Sequence, residues 1–480
     1  MAETKADTRI LSGPLGLEVA RFGTPLAVGM ALQTTFNLVD AYLIARLPAA
    51  EVGAAVGAIG ICDQVSALGT IVSYGVSTAA GAILAQRQGS GDKAGIQQAA
   101  WQSMLIITGL SLLLGLVGGF GAGFIVRDLI GAKGEVATVA TSYLRVITGG
   151  SFSIFFLLQL TNIQRALGSS KTPVTLLVTG NAINVVLAVL LMFGSGPAPT
   201  GFGWLTPVAE ALHVPRMGMV GAAWASIFAR CIVLVPNIWI LARRFDVIPP
   251  RGARRPDKEM LLRIASIAWP SSAQFFIRIS AMLFVNSIVA RVFTTATDQT
   301  ATTAMGLVFR LDTMALFVAM GWGTAAQTFV GQNLGAQQDA RAKKSGWITA
   351  AYDAITNVIL LMVIYRYGEE ILHIFDPEPG PVAIALQYLH IVAPSYFGLG
   401  AGIVLGNAMA GAGATRTTFA IDATVIALVQ VPICLVAARY WPDSLPTLFR
   451  CVAVTNFVSA MAYAFIYGRG RWTGAVSRIA

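Results

Sequence analysis

Twelve apolar segments, each long enough to cross a bilayer as a helix, dominate this chain and leave little else to fold. A membrane-spanning helix needs about 20 predominantly apolar residues, and 480 residues hold a dozen of them with short connections. The spans are read at 17–46, 52–85, 96–125, 137–163, 173–193, 219–242, 262–291, 300–333, 346–366, 381–410, 417–438 and 446–467. Hydrophobic residues make up 55% of the chain and charged residues 12%, about half the charged fraction of soluble domains. The bilayer is therefore the solvent. In lipid a backbone must satisfy its own hydrogen bonds, which helices do within one segment. The expected fold class is an all-α integral membrane protein with no large soluble domain.

Net charge is +10, and its distribution gives topology rather than a nucleic-acid partner. Counting span ends with their adjoining loops, 21 of the 33 Lys and Arg lie at the termini and even-numbered loops, against 8 in the odd-numbered loops. By the positive-inside rule both termini are cytoplasmic, with anionic headgroups of the inner (plasma) membrane as partner. The start, Met1 to Arg9, mixes acids and bases and lacks an apolar core, so no removable signal peptide is expected. Cys62, Cys231, Cys434 and Cys451 stand singly in apolar segments and suggest neither disulfides nor a metal knuckle.

The densest basic run, Arg243 to Arg263, divides the chain almost in half, and an internal repeat supports the division. Gly75 to Gly89 (GVSTAAGAILAQRQG) aligns with Gly321 to Gly335 (GWGTAAQTFVGQNLG) at an offset of 246. Asn162 to Lys171 aligns with Asn407 to Arg416 at 245. Repeats at a constant offset indicate duplicated units. The domains expected are an N-terminal six-helix bundle over 1–242, a cytoplasmic linker over 243–261 and a C-terminal six-helix bundle over 262–480. Each half has an even number of spans, so the pseudo-two-fold axis runs along the membrane normal, with a cleft between the bundles.

Ionisable residues at membrane depth are costly and mark function by default. Those singled out are Asp40, Asp63, Asp353 and Asp422, with Arg145, Arg230, Arg278 and Arg310. Asp40 lies in the outer part of the first span, fifteen residues after Pro25, a residue that removes a backbone donor and lets the helix bend. A carboxylate there suits a group that alternately takes and releases a proton; the plain alternative is a water-boundary position or a pair with a buried Arg. Asn162, Asn181, Asn184 and Ser226 can complete a site with it, or serve ordinary interhelical hydrogen bonding. Asn181 and Asn184 share a helix face. Arg278, eight residues after Pro270, is a candidate for the cleft; Asp353 and Asp422 read as pairing or boundary residues.

Other chemistries lack their residues. Gly168-Ser-Ser-Lys-Thr172 lacks the spacing of a phosphate loop, so ATP is not the expected energy source. No HExxH or GxSxG is present and the three histidines are scattered, so an enzyme is not expected.

The chain resembles the multidrug and toxic compound extrusion (MATE) family of secondary transporters. The resemblance rests on Ala325 to Ala336 (AAQTFVGQNLGA) with Asp339-Ala-Arg341, on Val220 to Ser226 (VGAAWAS), on Arg165 to Gly168 before Thr172-Pro173, and on Pro25, Gln33 and Asp40 at the family's first-helix spacing. It implies the V-shaped pair of bundles of the MOP superfamily, alternating access, and export of amphipathic drugs or toxic compounds against an inward flow of protons or sodium. In the DinF-like prokaryotic branch the first-helix Asp, here Asp40, is the coupling group. Pro25 would be the bending point, and Gln33, Phe36, Asn162 and Asn184 would line the amino-terminal cavity, with Asn181 and Arg278 as further cavity candidates.

One departure bears on the ion. The branch's pattern puts a second carboxylate where this chain has Ala188, and Ser226 replaces a Thr. Sodium favours several hard oxygens, so the reading leans to protons, with sodium at Asp40, Asn184 and Ser226 left open. Arg278 stands near the position of the other branch's seventh-helix Glu, which argues against an acidic site in the carboxyl-terminal bundle. The rivals are a lipid-linked precursor flippase of the same superfamily and a non-transporting membrane scaffold or receptor. No nucleic acid or cofactor is implied, and a monomer is expected.

Overall fold

The computed structural model describes residues 9–199, 201–295, 297–375 and 378–478; most of the Met1 to Arg9 stretch read for a signal peptide lies outside them. All regular structure among these residues is helical. Twelve spans follow the predicted ones within a few residues at most ends: α1 Leu15–Ala45, α2 Ala49–Ser90, α3 Lys93–Leu129, α4, α5 Lys171–Phe193, α6 Met219–Arg243, α7 Lys258–Val292, α8 Thr300–Gly335, α9 Asp339–Phe375, α10 Pro379–Gly411, α11 Thr415–Tyr440 and α12 Leu445–Arg469. α4 is two helices, Gly134–Gly149 and Ser151–Ala166, bent by 43° at Gly150. A side chain at 150 would run into Ile227 of α6, so the bend stands where only glycine fits.

Local chemistry sets the tight turns. Gly91 ends α2 at φ 74°, a left-handed cap that costs glycine nothing, and the next residue, Asp92, accepts the Gly95 amide at 2.9 Å to start α3. Asp257 caps α7 in the same way, so that helix begins before the predicted residue 262. Pro25 and Pro270 lie inside α1 and α7 without ending them.

Packing departs from the division in sequence on the side of the membrane that holds the termini. There the first half of α1 is cored with the carboxyl-terminal bundle, where Val19, Phe22 and Leu26 pack with Trp322, Phe329 and Val330. The first half of α7 is cored with the amino-terminal bundle, where Ile264, Ile267 and Ala268 pack with Ile83, Leu84 and Ile163. The bundles thus exchange half-helices about the pseudo-two-fold axis.

The repeated motifs form the seam between the bundles. Gln86 of α2 donates its amide to the Gly411 carbonyl at the end of α10, and Gln332 of α8 donates to the Ala166 carbonyl at the end of α4, both at 2.8 Å. These carbonyls belong to the last helical turn and have no partner in their own helix. A Cβ at Gly89 would overlap the Gln332 carbonyl oxygen, and one at Gly335 the Gln86 carbonyl oxygen. The two helices therefore touch backbone to backbone, an approach only small residues allow.

Candidate transport site

In the amino-terminal bundle α1 and α5 are joined by two polar rungs. Asn181 donates Nδ2 to Gln33 Oε1 at 2.9 Å. Asn184 donates Nδ2 to both oxygens of Asp40, at 3.1 and 3.3 Å. Gln33 and Asp40 are seven apart on α1 and share a face, as Asn181 and Asn184 do on α5. Asp40 is half-buried, with Arg230 of α6 and Asp63 of α2 within electrostatic reach. The Oδ1 of Asn184 is buried without a hydrogen-bond partner.

Other sequence candidates fall elsewhere. Asn162 is 6% exposed and its amide bonds the Ser77 carbonyl of α2. The reason is Gly81, whose missing side chain leaves the space that the Asn162 amide fills. Among the described residues Ser226, half-buried on α6, is hydrogen-bonded to neither Asp40 nor Asn184. Phe36 is half-buried one turn before Asp40, and Ala188 is 1% exposed in the apolar core of α5. Asp353 is fully buried against Gly400 of α10 and accepts the Asn357 amide at 3.0 Å.

A cavity of about 220 Å³ opens in the carboxyl-terminal bundle, walled by α7, α8, α10, α11 and α12 with Tyr74 and Thr78 of α2. Arg278 lines it, 24% exposed, and its Nε lies 2.6 Å from Asp422 Oδ2. Gln274 donates to the same oxygen at 2.7 Å and Tyr463 donates to the other at 3.0 Å. Across the cavity Asp312 of α8 accepts the hydroxyls of Tyr388, at 2.7 Å, and Tyr396. The expectation of a carboxyl-terminal bundle without an acidic site is corrected: Arg278 neutralises one acid, and a second, Asp312, stands apart from it. A π-helical turn at Ile426–Gln430 of α11 presents both its end residues to this cavity. It directly precedes Val431 and Pro432, a proline that removes one backbone donor, and such turns recur at functional sites.

Twelve spans in two bundles, with a carboxylate–amide cluster in one and an amphipathic cavity in the other, define a multi-pass membrane transporter. The chain belongs to the MatE family, whose model matches residues 25–190 and 270–436, one match in each half. Among relatives, a probable multidrug resistance protein of Bacillus subtilis, YpnP, is 25% identical over 95% of both chains, and an FAD transporter of Shewanella oneidensis is 22% identical over 96% of both. Among solved structures, a MATE crystallised in complex with MaL6 superposes with a TM-score of 0.84 at 20% identity, covering 98% of this chain and 99% of that one. A MOP superfamily transporter from Pyrococcus furiosus does so at the same score and identity over 97% and 98%.

Proposed function

We propose that the protein exports small amphipathic compounds by alternating access in exchange for protons, with Asp40 as the coupling carboxylate. The observation that carries this reading is the pairing of Asp40 with Asn184. A carboxamide presents donors at one end and an acceptor at the other. With Asp40 ionised, Asn184 Nδ2 serves both oxygens. With Asp40 protonated, a half-turn of the amide brings the unpartnered Oδ1 to the new O–H. One side chain serves both states, and it stands where α1 meets α5, so the change acts on the part of α1 beyond Pro25. The multidrug relatives support drug-like cargo.

The charge count supports cytoplasmic termini in the plasma membrane. The glutamine seam then closes the cytoplasmic side, an outward-open arrangement. A proton crossing about 100 mV yields about 2.3 kcal/mol, and each pH unit adds about 1.4 kcal/mol, enough for a tenfold or greater gradient of neutral cargo.

Sodium is the second reading, favoured by the free Asn184 oxygen beside a carboxylate. Ala188, which supplies no oxygen, and the unengaged Ser226 weigh against it. Dye transport in proteoliposomes, with pH and sodium gradients imposed separately, tests both. Transport under the pH gradient alone, lost in Asp40→Asn, is the expected result; transport under sodium alone at clamped pH selects the second reading, and transport under neither rejects antiport.

A further inference from the structure

Among the described residues that are less than a tenth exposed, Arg165 is the one base. It stands in the last turn of α4, at the seam: Thr328 of α8 donates its hydroxyl to the Arg165 carbonyl at 3.3 Å, and Gln332 donates to the carbonyl of the next residue, Ala166. No ion pair reaches it among the described residues, and its Nε is buried without a hydrogen-bond partner. The ionisable group within its electrostatic reach is the Tyr74 hydroxyl of α2. Side chains lean toward the N-terminus of their helix, and α4 ends at the seam, so the guanidinium sits on the cleft side of the Gln332 bond.

A cation at a helix C-terminus is favourable, yet the duplication shows that this seam closes without one. At the offset of 245, Arg165 corresponds to Ala410, in the last turn of α10, where Gln86 makes the equivalent bond to Gly411. The twin end packs with a methyl group. Burying an unpaired charge is costly, and an ionisable residue kept inside the membrane marks function by default.

The make-up of the seam indicates which function. Gln86, Asn162, Gln327 and Gln332 are each at most 6% exposed, and each donates to a backbone carbonyl of a neighbouring helix. Such a layer shuts the cleft to cargo but insulates poorly against protons, because amides and hydroxyls join with water into continuous hydrogen-bond chains. A fixed positive charge at low dielectric raises the energy of any protonated group beside it. Pores use an arginine in this way to exclude protons.

We infer that Arg165 is an electrostatic barrier that stops protons from crossing the closed seam, so that they pass only on the coupling carboxylate. The inference rests on the reading of the seam as the cytoplasmic closure of a proton-coupled exporter and deepens it. Movement comes from the residues that the two halves share, and insulation from one that they do not.

Proton flux into proteoliposomes of the full chain tests it, with a pH gradient imposed, the membrane potential clamped by potassium and valinomycin, and no cargo present. The parent for the test is Asp40→Asn, in which the proposed carrier is absent and any flux above that of protein-free liposomes is leak. Adding Arg165→Gln should raise the leak about tenfold or more, and Arg165→Ala, which copies the twin position, should do the same. Arg165→Lys should stay at the parental rate. Spin-label distances across the termini side should match the parent in all three. A leak in Arg165→Gln and Arg165→Ala no greater than the parent's overturns the inference. So does an equal rise in Arg165→Lys, or a rise accompanied by a wider distance distribution, which assigns Arg165 to packing. Dye transport with Arg165 intact reads the antiport proposal separately, so either can fail alone.

Discussion

Gln86 and Gln332 make the same hydrogen bond in opposite directions, each crossing the seam to cap the last turn of a helix in the other bundle. Each bond contributes about 1 kcal/mol net. Replacing either with Leu should shift the equilibrium between seam-closed and seam-open states about fivefold, and the double change more. Spin-label distances across the termini side would report it; an unchanged distribution in the double variant would show that the seam is held by packing alone.

Gly335 meets the Gln86 backbone with no room for a methyl group. Gly335→Ala must push α2 and α8 apart by about an ångström or more at their crossing. We expect normal insertion but a lower population of the seam-closed state and slower dye transport by about tenfold. Gly91→Ala, at an open turn where strain is confined to φ 74°, should leave the distance distribution alone.

Asn184→Leu keeps the bulk of the side chain and deletes both ends of its amide. A half-buried carboxylate losing its donor forfeits about 1–3 kcal/mol, so coupled transport should fall about tenfold or more. Asp40→Asn should abolish it while the protein still reaches the membrane. Near-normal drug resistance in cells carrying Asp40→Asn would remove Asp40 from the mechanism.

Arg278 and Asp422 stand or fall together. Arg278→Ala strands a carboxylate that is 4% exposed, a change expected to cost about 3–5 kcal/mol. The double variant Arg278→Met with Asp422→Leu should unfold at a higher temperature than either single change. A double variant less stable than both would mean that the pair contributes more than its own compensation.

Much of this was legible from hydropathy and repetition. The spans follow directly from apolar length, and the two repeated motifs prove to be the seam itself, because duplicated residues that meet at a symmetry axis meet each other. Spacing and polarity offered Asn184 as one of four possible partners of Asp40 without choosing among them. Neighbours were not legible: nothing in the hydropathy of α1 or α7 says that their first halves pack in the opposite bundle. The cavity role of Asn162 came from the family resemblance, and its burial against Gly81 is a long-range fact that the local sequence does not carry. Asp312 was missed although its signal is plain, an acid twelve residues into an apolar span. Arg310 stands two residues before it, yet residues two apart on a helix point about 200° apart, so the two charges belong to different faces.

The duplicated seam cannot tell one half of the molecule from the other, whereas the chemistry can. At the repeat offsets Asp40 corresponds to Val285 and Asp312 to Ser66, so each bundle keeps an acid that its twin lacks. The seam is common to both halves and the acids are not, so under the proposed function the coupling residue can change without rebuilding the framework on which both bundles close.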